Sequence, residues 1–302
     1  MKCSMCNRPA ITFIRRVKKY FCEEHFSQFV LKQVRRYLEK HGIRKKKILI
    51  AVSGGKDSMV MLHTLKMLSE DFKLDITPFY INLGITGYSD PCENVVREVS
   101  EELELIPIII SLREYAGYTI DDAARIERKK PCSTCGTVKR YITNRIAYEG
   151  GYDYVATGHT MIDEFAFALH NLYSGNIDTF LRSYEITDTR RDLKLVGRIK
   201  PLYYLLESET LTYAIVNKIK YCNLECPYAQ GHPTQIHKEI GLMGEYRLQG
   251  YVQRILSSLN KLKKVIPERP DNNNIRFCKI CGYPTVTDIC KYCRLKAKFS
   301  RE

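Results

Sequence analysis

The sequence predicts an α/β fold, a parallel sheet with helices on both faces, flanked at each end of the chain by a small cysteine-rich module. Three observations predict it. Between Lys47 and about Lys200, apolar β-type runs alternate with stretches of helical periodicity, as strand–crossover–strand units require. The 302 residues suffice for one sizeable core with small appended modules. Cysteines crowd the two ends: Cys3, Cys6 and Cys22 with His25 at the start, and Cys278, Cys281, Cys290 and Cys293 at the finish.

The elements follow in order. KILIAV, residues 47–52, is a buried strand feeding the glycine turn SGGKDS, and apolar spacing from Met59 to Leu68 predicts the helix after it. ITPFYINL, 76–83, is the next strand, and Asp90, Pro91 and Glu93 read as N-cap, first-turn proline and capping box of a helix to about Leu105. IPIII, 106–110, is the third strand. A helix from about Val138 to Tyr148, the strand YDYVAT at 152–157 and a helix over Asp163 to Leu172 complete the repeat, with a further helical stretch from Gln235 to Leu262 outside the sheet. The expected division is a first module over 1–30, a nucleotide-type domain over 31–230, a helical extension over 231–270 and a last module over 271–302.

Composition narrows the class. With 44% hydrophobic and 27% charged residues and no low-complexity tract, the chain is expected to fold rather than stay disordered. The start MKCSMCNRPA lacks the apolar core of a secretory signal, and no apolar run approaches the ~18 residues of a membrane span, so a cytoplasmic location without membrane contact is expected. In that reducing setting a disulfide framework is not expected, and the twelve cysteines read chiefly as metal ligands. A formal charge of +14 favours a polyanionic partner, RNA or DNA, with basic clusters at Arg15–Lys19, Arg44–Lys47, Arg125–Lys130 and Lys261–Lys264.

SGGKDS, Ser53 to Ser58, stands where a helix's free N–H groups and dipole favour an anion. Gly54 and Gly55 let the backbone approach phosphate oxygens, Ser53 and Ser58 offer hydroxyls, and Lys56 adds a point charge. Asp57 is the informative member, because an acid beside a phosphate site points to Mg²⁺. The segment is not a GxxxxGK(S/T) loop. Cys3-x2-Cys6 with Cys22-x2-His25, and Cys278-x2-Cys281 with Cys290-x2-Cys293, have the paired spacing of closed tetrahedral zinc sites, and two structural Zn²⁺ are expected there. Basic residues on these modules, among them Arg16, Lys18, Arg294 and Lys298, are expected to meet RNA backbone. Cys132 and Cys135 form a central CxxC on a loop entering a helix, where the helix end and nearby cations are expected to lower the thiol pKa values. From the residues alone, an iron–sulfur cluster, a redox dithiol and a zinc site are all open, with Cys222 or Cys226 completing the set. Cys92 reads as a buried small hydrophobe.

SGGKDS after a buried strand resembles the PP-loop of the ATP pyrophosphatase family, whose members cleave ATP between the α and β phosphates and form an adenylated substrate. The resemblance implies a Rossmann-like sheet of the adenine nucleotide α-hydrolase type. TGH at Thr157 to His159 resembles the family's second nucleotide motif, which places Gly158 and His159 in the ATP pocket, with Ala51 and Ile81 as backbone contacts for adenine. CSTCGTVKR together with ECPYA resembles the TtuA-type tRNA 2-thiouridine synthetases of that family, which also carry zinc modules at both ends, so the likeness covers essentially the whole chain. It implies a 4Fe-4S cluster on Cys132, Cys135 and Cys226, with Cys222 in reserve, and places Lys139 near ATP and the reacting base. TGHTMIDE departs from the TGHNLDDE-like form at Thr160 and Ile162, leaving Asp163 to inherit the metal-binding or acid/base role.

The activity implied is ATP-dependent adenylation of a tRNA uridine C2 oxygen, expected at T-loop 5-methyluridine 54, followed by sulfur transfer from a thiocarboxylated ubiquitin-like carrier protein, in a homodimer. The rivals are the same chemistry on wobble uridine 34 or cytidine 32, a zinc-containing RNA-binding protein with a regulatory nucleotide site, and an amide-forming ATP pyrophosphatase, whose glutaminase domain is missing here.

Overall fold

In the computed structural model, which describes residues 1–128, 130–229, 233–266 and 275–299, the chain opens on a hairpin of β1 (Thr12–Ile14) and β2 (Lys19–Phe21), followed by α1 (Glu23–Lys40). The central domain then runs β3 (Lys47–Ala51), α2 (Lys56–Phe72), β4 (Asp75–Asn82), α3 (Ser89–Glu102), β5 (Ile108–Ser111), α4 (Leu112–Ala116), α5 (Ile120–Glu127), α6 (Cys132–Glu149), β6 (Tyr154–Thr157) and α7 (Met161–Tyr173). It continues through α8 (Ile177–Leu181), β7 (Ile186–Thr187), β8 (Gly197–Ile199) and α9 (Glu207–Val216). A helical pair, α10 (Pro233–Arg247) and α11 (Tyr251–Val265), precedes the last module of β9 (Arg276–Phe277), β10 (Pro284–Thr285) and α12 (Lys291–Phe299). The boundaries expected at 230 and 270 lie outside the described residues.

The main sheet has the order β5-β4-β3-β6-β8-β7, parallel throughout except for β7, which pairs antiparallel with β8 at the edge. The chain moves outward from β3 through β4 to β5, then returns to the other side of β3 with β6. That reversal opens a crevice at the carboxyl ends of β3 and β6, the place where open α/β sheets bind ligands. SGGKDS leaves β3 there and TGH leaves β6 beside it.

Both faces of the sheet are covered, so the strands read as nearly continuous apolar runs rather than alternating ones. Ile48, Ile50, Ala156 and Ile199 pack with Val34, Leu62, Val96 and Tyr213 of α1, α2, α3 and α9. Leu49, Phe79, Ile81 and Val155 pack with Ala123, Val138, Ile142 and Tyr292 of α5, α6 and α12. A third cluster joins α7, α8 and α11 through Phe165, Phe180 and Val252. No helix among the described residues is long and apolar enough to cross a membrane.

Several elements differ from the sequence reading. α6 begins at Cys132, so the CxxC pair occupies the helix's first turn instead of a preceding loop. Asp90 is not the N-cap of α3: Tyr88 is, and Asp90 and Glu93 instead accept hydrogen bonds from Asn82 Nδ2, both at 2.8 Å. The helical stretch after Gln235 is two helices broken at Gly250.

The N-terminal module is joined to the domain by a buried, two-pronged ion pair. Arg16 Nε donates to Glu209 Oε1 at 2.9 Å and its Nη2 to Oε2 at 2.7 Å, with the side chains 8% and 2% exposed. Glu209 also accepts from the Leu206 backbone N–H at 3.0 Å, so one carboxylate both caps α9 and holds the module. Removing one partner strands a buried charge, which costs about 3–5 kcal/mol. Arg16→Ala is therefore expected to lower unfolding free energy by about that much in urea titration, whereas Arg16→Ala with Glu209→Leu should recover a large part; equal losses in both would refute the stranded-charge account.

Candidate active site

The phosphate-type loop is closed by its own serines. Ser58 Oγ accepts from the Ser53 N–H at 3.1 Å and donates to the Gly55 carbonyl at 2.8 Å, and the two serine hydroxyls lie 3.2 Å apart. Gly54 is in the left-handed region at φ +80°, and a Cβ there would sit 2.7 Å from the Cys92 carbonyl oxygen. Only glycine meets both demands. The Gly54 carbonyl in turn accepts the Cys222 N–H at 2.8 Å. Lys56 and Asp57 face α9: Lys56 Nζ lies 2.5 Å from Asp57 Oδ1 and 2.9 Å from Thr210 Oγ1, and Thr210 also donates to Asp57 Oδ1.

The second motif packs directly on the first. A Cβ on Gly158 would stand 3.1 Å from the Ser58 backbone nitrogen, so a side chain there would press on the start of α2, against which the chain leaving β6 lies closely. His159 Nδ1 is 3.0 Å from Thr157 Oγ1, and burial pushes its imidazole pKa down, favouring the neutral ring. Asp163 caps α7, accepting from Thr160 N–H at 2.8 Å and Oγ1 at 2.9 Å through Oδ2, while Oδ1 pairs with Lys238 of α10 at 2.5 Å. Lys238 also reaches Glu207 at 2.6 Å. Burial opposes ionisation of Asp163, but the Lys238 ammonium and the Thr160 N–H hold its carboxyl below the usual range. It is ionised at neutral pH, and both oxygens are occupied.

Beside the loop, between the sheet and α6, lies a cavity of about 190 Å³. Ala51, Ile81 and Thr157 at the strand ends form one wall, and Lys139 and Thr143 of α6 the other. It brings Ala51, Ser53, Ile81 and Lys139, expected to contact ATP, into one space; Gly158 and His159 flank it rather than line it.

The cysteines gather at the end of α6. Cys132 Sγ is 3.4 Å from the Tyr228 carbonyl oxygen, two residues beyond Cys226, and Cys135 lies within electrostatic reach of both Cys132 and Cys226. All three are free thiols, half-buried. Contrary to the expectation of lowered pKa values, burial pushes the Cys135 thiol up, reinforced by Cys226 and Cys132 and only partly offset by Lys139 and Arg140. Cys92 and Cys222 are not free: they form a disulfide with Cα atoms 5.2 Å apart. Cys92 is buried in the core, as expected of a small hydrophobe, but it is also bonded; the bond is an exception among cysteines read chiefly as metal ligands, and it removes Cys222 from the reserve. The cause is the fold: the start of α3 and the segment after α9 both press on Gly54.

The terminal quartets differ in geometry from this trio. Cys3, Cys6, Cys22 and His25, and likewise Cys278, Cys281, Cys290 and Cys293, bring one ligand atom each to within 4.8 Å of all the others. These are single-ion distances, and the donor sets fit zinc. Burial opposes it, but backbone N–H groups of Cys290, Cys281 and Ile280 bring the Cys278 thiol to about 6, which favours the thiolate a metal needs. Among the described residues, Cys132, Cys135 and Cys226 do not form a group of this single-ion kind.

A PP-loop domain profile matches residues 25–226. The chain belongs to the PP-loop family. Over 296 residues it is 36% identical to the tRNA-5-methyluridine(54) 2-sulfurtransferase of Pyrococcus horikoshii, covering 97% of this chain and 93% of that protein. It is 27% identical to the tRNA 2-thiolation protein NcsA of Haloferax volcanii, over 98% of each. In three dimensions it is similar to the U34-tRNA thiolase NcsA from Methanococcus maripaludis with its 4Fe-4S cluster, at TM-score 0.84 and 27% identity, covering 100% of this chain and 97% of that one. The chain is thus a PP-loop ATP-using enzyme closely related to the TtuA-type tRNA thiolation enzymes.

Within this PP-loop enzyme the sequence reading missed Lys238, Thr210 and Tyr228. Each touches an expected site residue from a distant segment: Lys238 touches Asp163, Thr210 touches Asp57, and the Tyr228 backbone meets Cys132. Lys238 lies in a helix without a motif and left no signal; the CPY run did place Tyr228 beside Cys226. The C-terminal module also reaches the site, since Tyr292 stacks on Tyr141 of α6 with ring centres 3.7 Å apart and Lys291 donates to Ser133 at 3.0 Å.

Two outcomes are expected. Gly158→Ala should weaken ATP binding by roughly tenfold in calorimetric titration, with little loss of global stability, because the added methyl displaces the Ser58 nitrogen from the loop; unchanged affinity would detach this motif from the phosphate loop. Asp163's depressed pKa gives a stabilising contribution that is complete above its unfolded value of ~3.9 and disappears as pH falls through the lower folded value. Asp163→Asn should therefore flatten the acid limb of the stability–pH curve below about pH 5. An unchanged limb would show that Asp163 is not the group responsible.

Proposed function

We propose that this chain is a tRNA uridine 2-sulfurtransferase, which spends ATP to activate a base C2 oxygen and replaces that oxygen with sulfur. One observation carries the reading: three free cysteines, Cys132, Cys135 and Cys226, stand beside a cavity that shares a wall with the phosphate loop. An ATP site alone suits many reactions. An ATP site adjoining three free thiols suits sulfur insertion.

A carbonyl oxygen is a poor leaving group. When the C2 oxygen of the base attacks the α-phosphorus of ATP, pyrophosphate leaves and the oxygen becomes part of an adenylate. Sulfide then adds at C2, and the oxygen departs with AMP. In this reading Ser53 to Ser58 hold the phosphates at the end of β3, and the α2 N-terminus favours their charge. Ala51 and Ile81 border the adenine, with Gly158 and His159 behind it. Lys139, exposed on the cavity wall, offsets negative charge that develops at the reacting centre. Asp57 keeps one carboxylate oxygen clear of Lys56 and Thr210, which fits a ligand to Mg²⁺. Asp163, with both oxygens engaged, instead positions α7 and Lys238. Cys132, Cys135 and Cys226 would hold a 4Fe-4S cluster through three ligands, and such a cluster would supply an open iron for an exogenous sulfide. The half-buried setting of these thiols limits their reaction with bulk solvent.

The base is common ground between two readings. The relative from Pyrococcus horikoshii acts by name on 5-methyluridine 54, whereas the similar structure is by title a U34-tRNA thiolase. That full-length likeness brings uridine 34 forward as the target to test first, in place of uridine 54 alone. The net charge of +14 supports a tRNA partner. We further propose that sulfur arrives on a thiocarboxylated ubiquitin-like carrier protein and that the enzyme acts as a homodimer.

Anaerobically reconstituted protein given ATP, sulfide and unmodified tRNA should produce 2-thiouridine, detected by mass spectrometry of nuclease digests, with the modified position read from the fragment. Cys132→Ala should abolish the product while leaving ATP binding in place. Thiolation that survives Cys132→Ala would instead favour an RNA-binding protein with a regulatory nucleotide site.

A further inference from the structure

Around the phosphate loop nearly every cation has a carboxylate. Lys56 pairs with Asp57, Lys238 with Asp163 and Glu207, and Lys200 with Glu164 at 2.7 Å. The cavity beside the loop breaks this pattern. Its lining holds Lys139, Arg140 and Arg198 and no acidic residue at all. Arg198 is the least expected of the three, because it projects from the short strand β8, half-buried, opposite Val155 in the sheet. Its guanidinium makes no hydrogen bond or ion pair among the described residues, and another cation, Arg140, lies within electrostatic reach of it. Arg140 in turn folds back over Gly136 and lies within electrostatic reach of Cys135.

A guanidinium taken partly out of water beside a like charge is unfavourable unless an anion joins it. Among the described residues the cavity lining supplies none, so a bound anionic ligand would meet this need. Ser53 also lines the cavity, and the loop it opens is where the outer phosphates of a nucleotide are placed under the proposed function, on which this inference rests. The phosphoryl group nearest the ribose then extends toward the cavity wall.

We propose that Arg198, supported by Arg140, binds the α-phosphoryl group of the adenine nucleotide and keeps hold of it as AMP after pyrophosphate has left the loop. The division of labour is specific. The loop takes the leaving group, and the arginines take the part that stays attached to the activated base. Because Arg140 reaches toward Cys135, this places the retained phosphoryl group on the side of the cavity that faces the cysteines. Arginine suits this role because its planar fork can donate two parallel hydrogen bonds to one phosphoryl group.

The test compares three ligands on the whole chain: AMP, pyrophosphate and adenosine, each titrated calorimetrically. Arg198→Gln should weaken AMP by about 10- to 100-fold, as loss of a charge-assisted hydrogen bond does, while changing pyrophosphate and adenosine less than about threefold. Arg198→Lys should recover part of the AMP affinity, and Arg140→Gln should give a smaller loss of the same selectivity. If Arg198→Gln weakens all three ligands alike, or weakens pyrophosphate most, the inference is overturned and Arg198 is a structural or loop-side cation. Should Arg198→Gln fail to give a cooperative melting transition, Arg198→Lys and Arg140→Gln decide by the same AMP-to-adenosine ratio. If the unaltered chain binds neither AMP nor pyrophosphate, the nucleotide site itself falls. Binding that is intact with the wrong selectivity removes only the role of Arg198.

Discussion

The seating of Gly54 is the constraint on which the site's geometry depends. Its left-handed backbone turns SGGKDS out of β3, its missing side chain admits the Cys92 backbone, and its carbonyl receives the Cys222 N–H. Three stretches far apart in sequence therefore meet at one residue: the loop after β3, the start of α3 and the segment after α9. The Cys92–Cys222 bond closes the same triangle covalently. Cys226 follows Cys222 by four residues, so the hydrogen bond that positions the phosphate loop also sets where the third thiol of the trio is delivered. Nucleotide and sulfur chemistry share a backbone fixture, and a shift at Gly54 would move both.

Helix α6 is the second shared element. Cys132 and Cys135 occupy its first turn, Lys139 and Thr143 face the cavity from its next turns, and Val138 and Ile142 anchor it in the core. Its outer side carries Tyr141, stacked on Tyr292 of the C-terminal module, while Tyr283 donates to Glu149 at its far end at 3.1 Å. A segment as short as this module builds little core of its own, so a metal held by its four cysteines would supply much of its folding energy. The aromatic stack would carry that stabilisation to α6. The last quartet thus has a stake in the active site without touching a substrate, and the Arg16–Glu209 pair does the same for the first module through α9 and Thr210.

What the sequence made legible depended on whether the cause was local. Strands β3, β4 and β6 were readable because burial on both faces leaves continuous apolar runs. SGGKDS and the CxxC pairs were readable because glycine conformation and ligand spacing are local requirements. The start of α6 was not, since CSTCG has no apolar periodicity and the helix is held there by Pro131 and the packing above it. Nor was the Cys92–Cys222 bond, which spans 130 positions and depends on two segments meeting at Gly54. Lys238 and Thr210 reach Asp163 and Asp57 only through the docking of α10 and α9, and no spacing rule connects them. Arg198 sits in a strand of three residues, too short for its inward face to show as alternation.

The electrostatics of the site follow from the same assembly. The chain carries a large positive excess, yet the acids nearest the loop are all committed inward: Asp57 to Lys56, Asp163 and Glu207 to Lys238, Glu164 to Lys200 and Glu209 to Arg16. Each pairing neutralises a carboxylate that would repel a nucleotide, and several of them also cap a helix, so they cannot be turned outward without loosening the fold. The field that remains in the cavity comes from Lys139, Arg140, Arg198 and the α2 N-terminus, all of one sign. In a space walled by the apolar side chains of Ala51, Phe79, Ile81 and Val155, such a field acts at greater strength than at an open surface. Attraction for a polyphosphate is thus produced less by adding cations than by using the fold to pair the acids described around the loop, with one oxygen of Asp57 left clear for a metal ion.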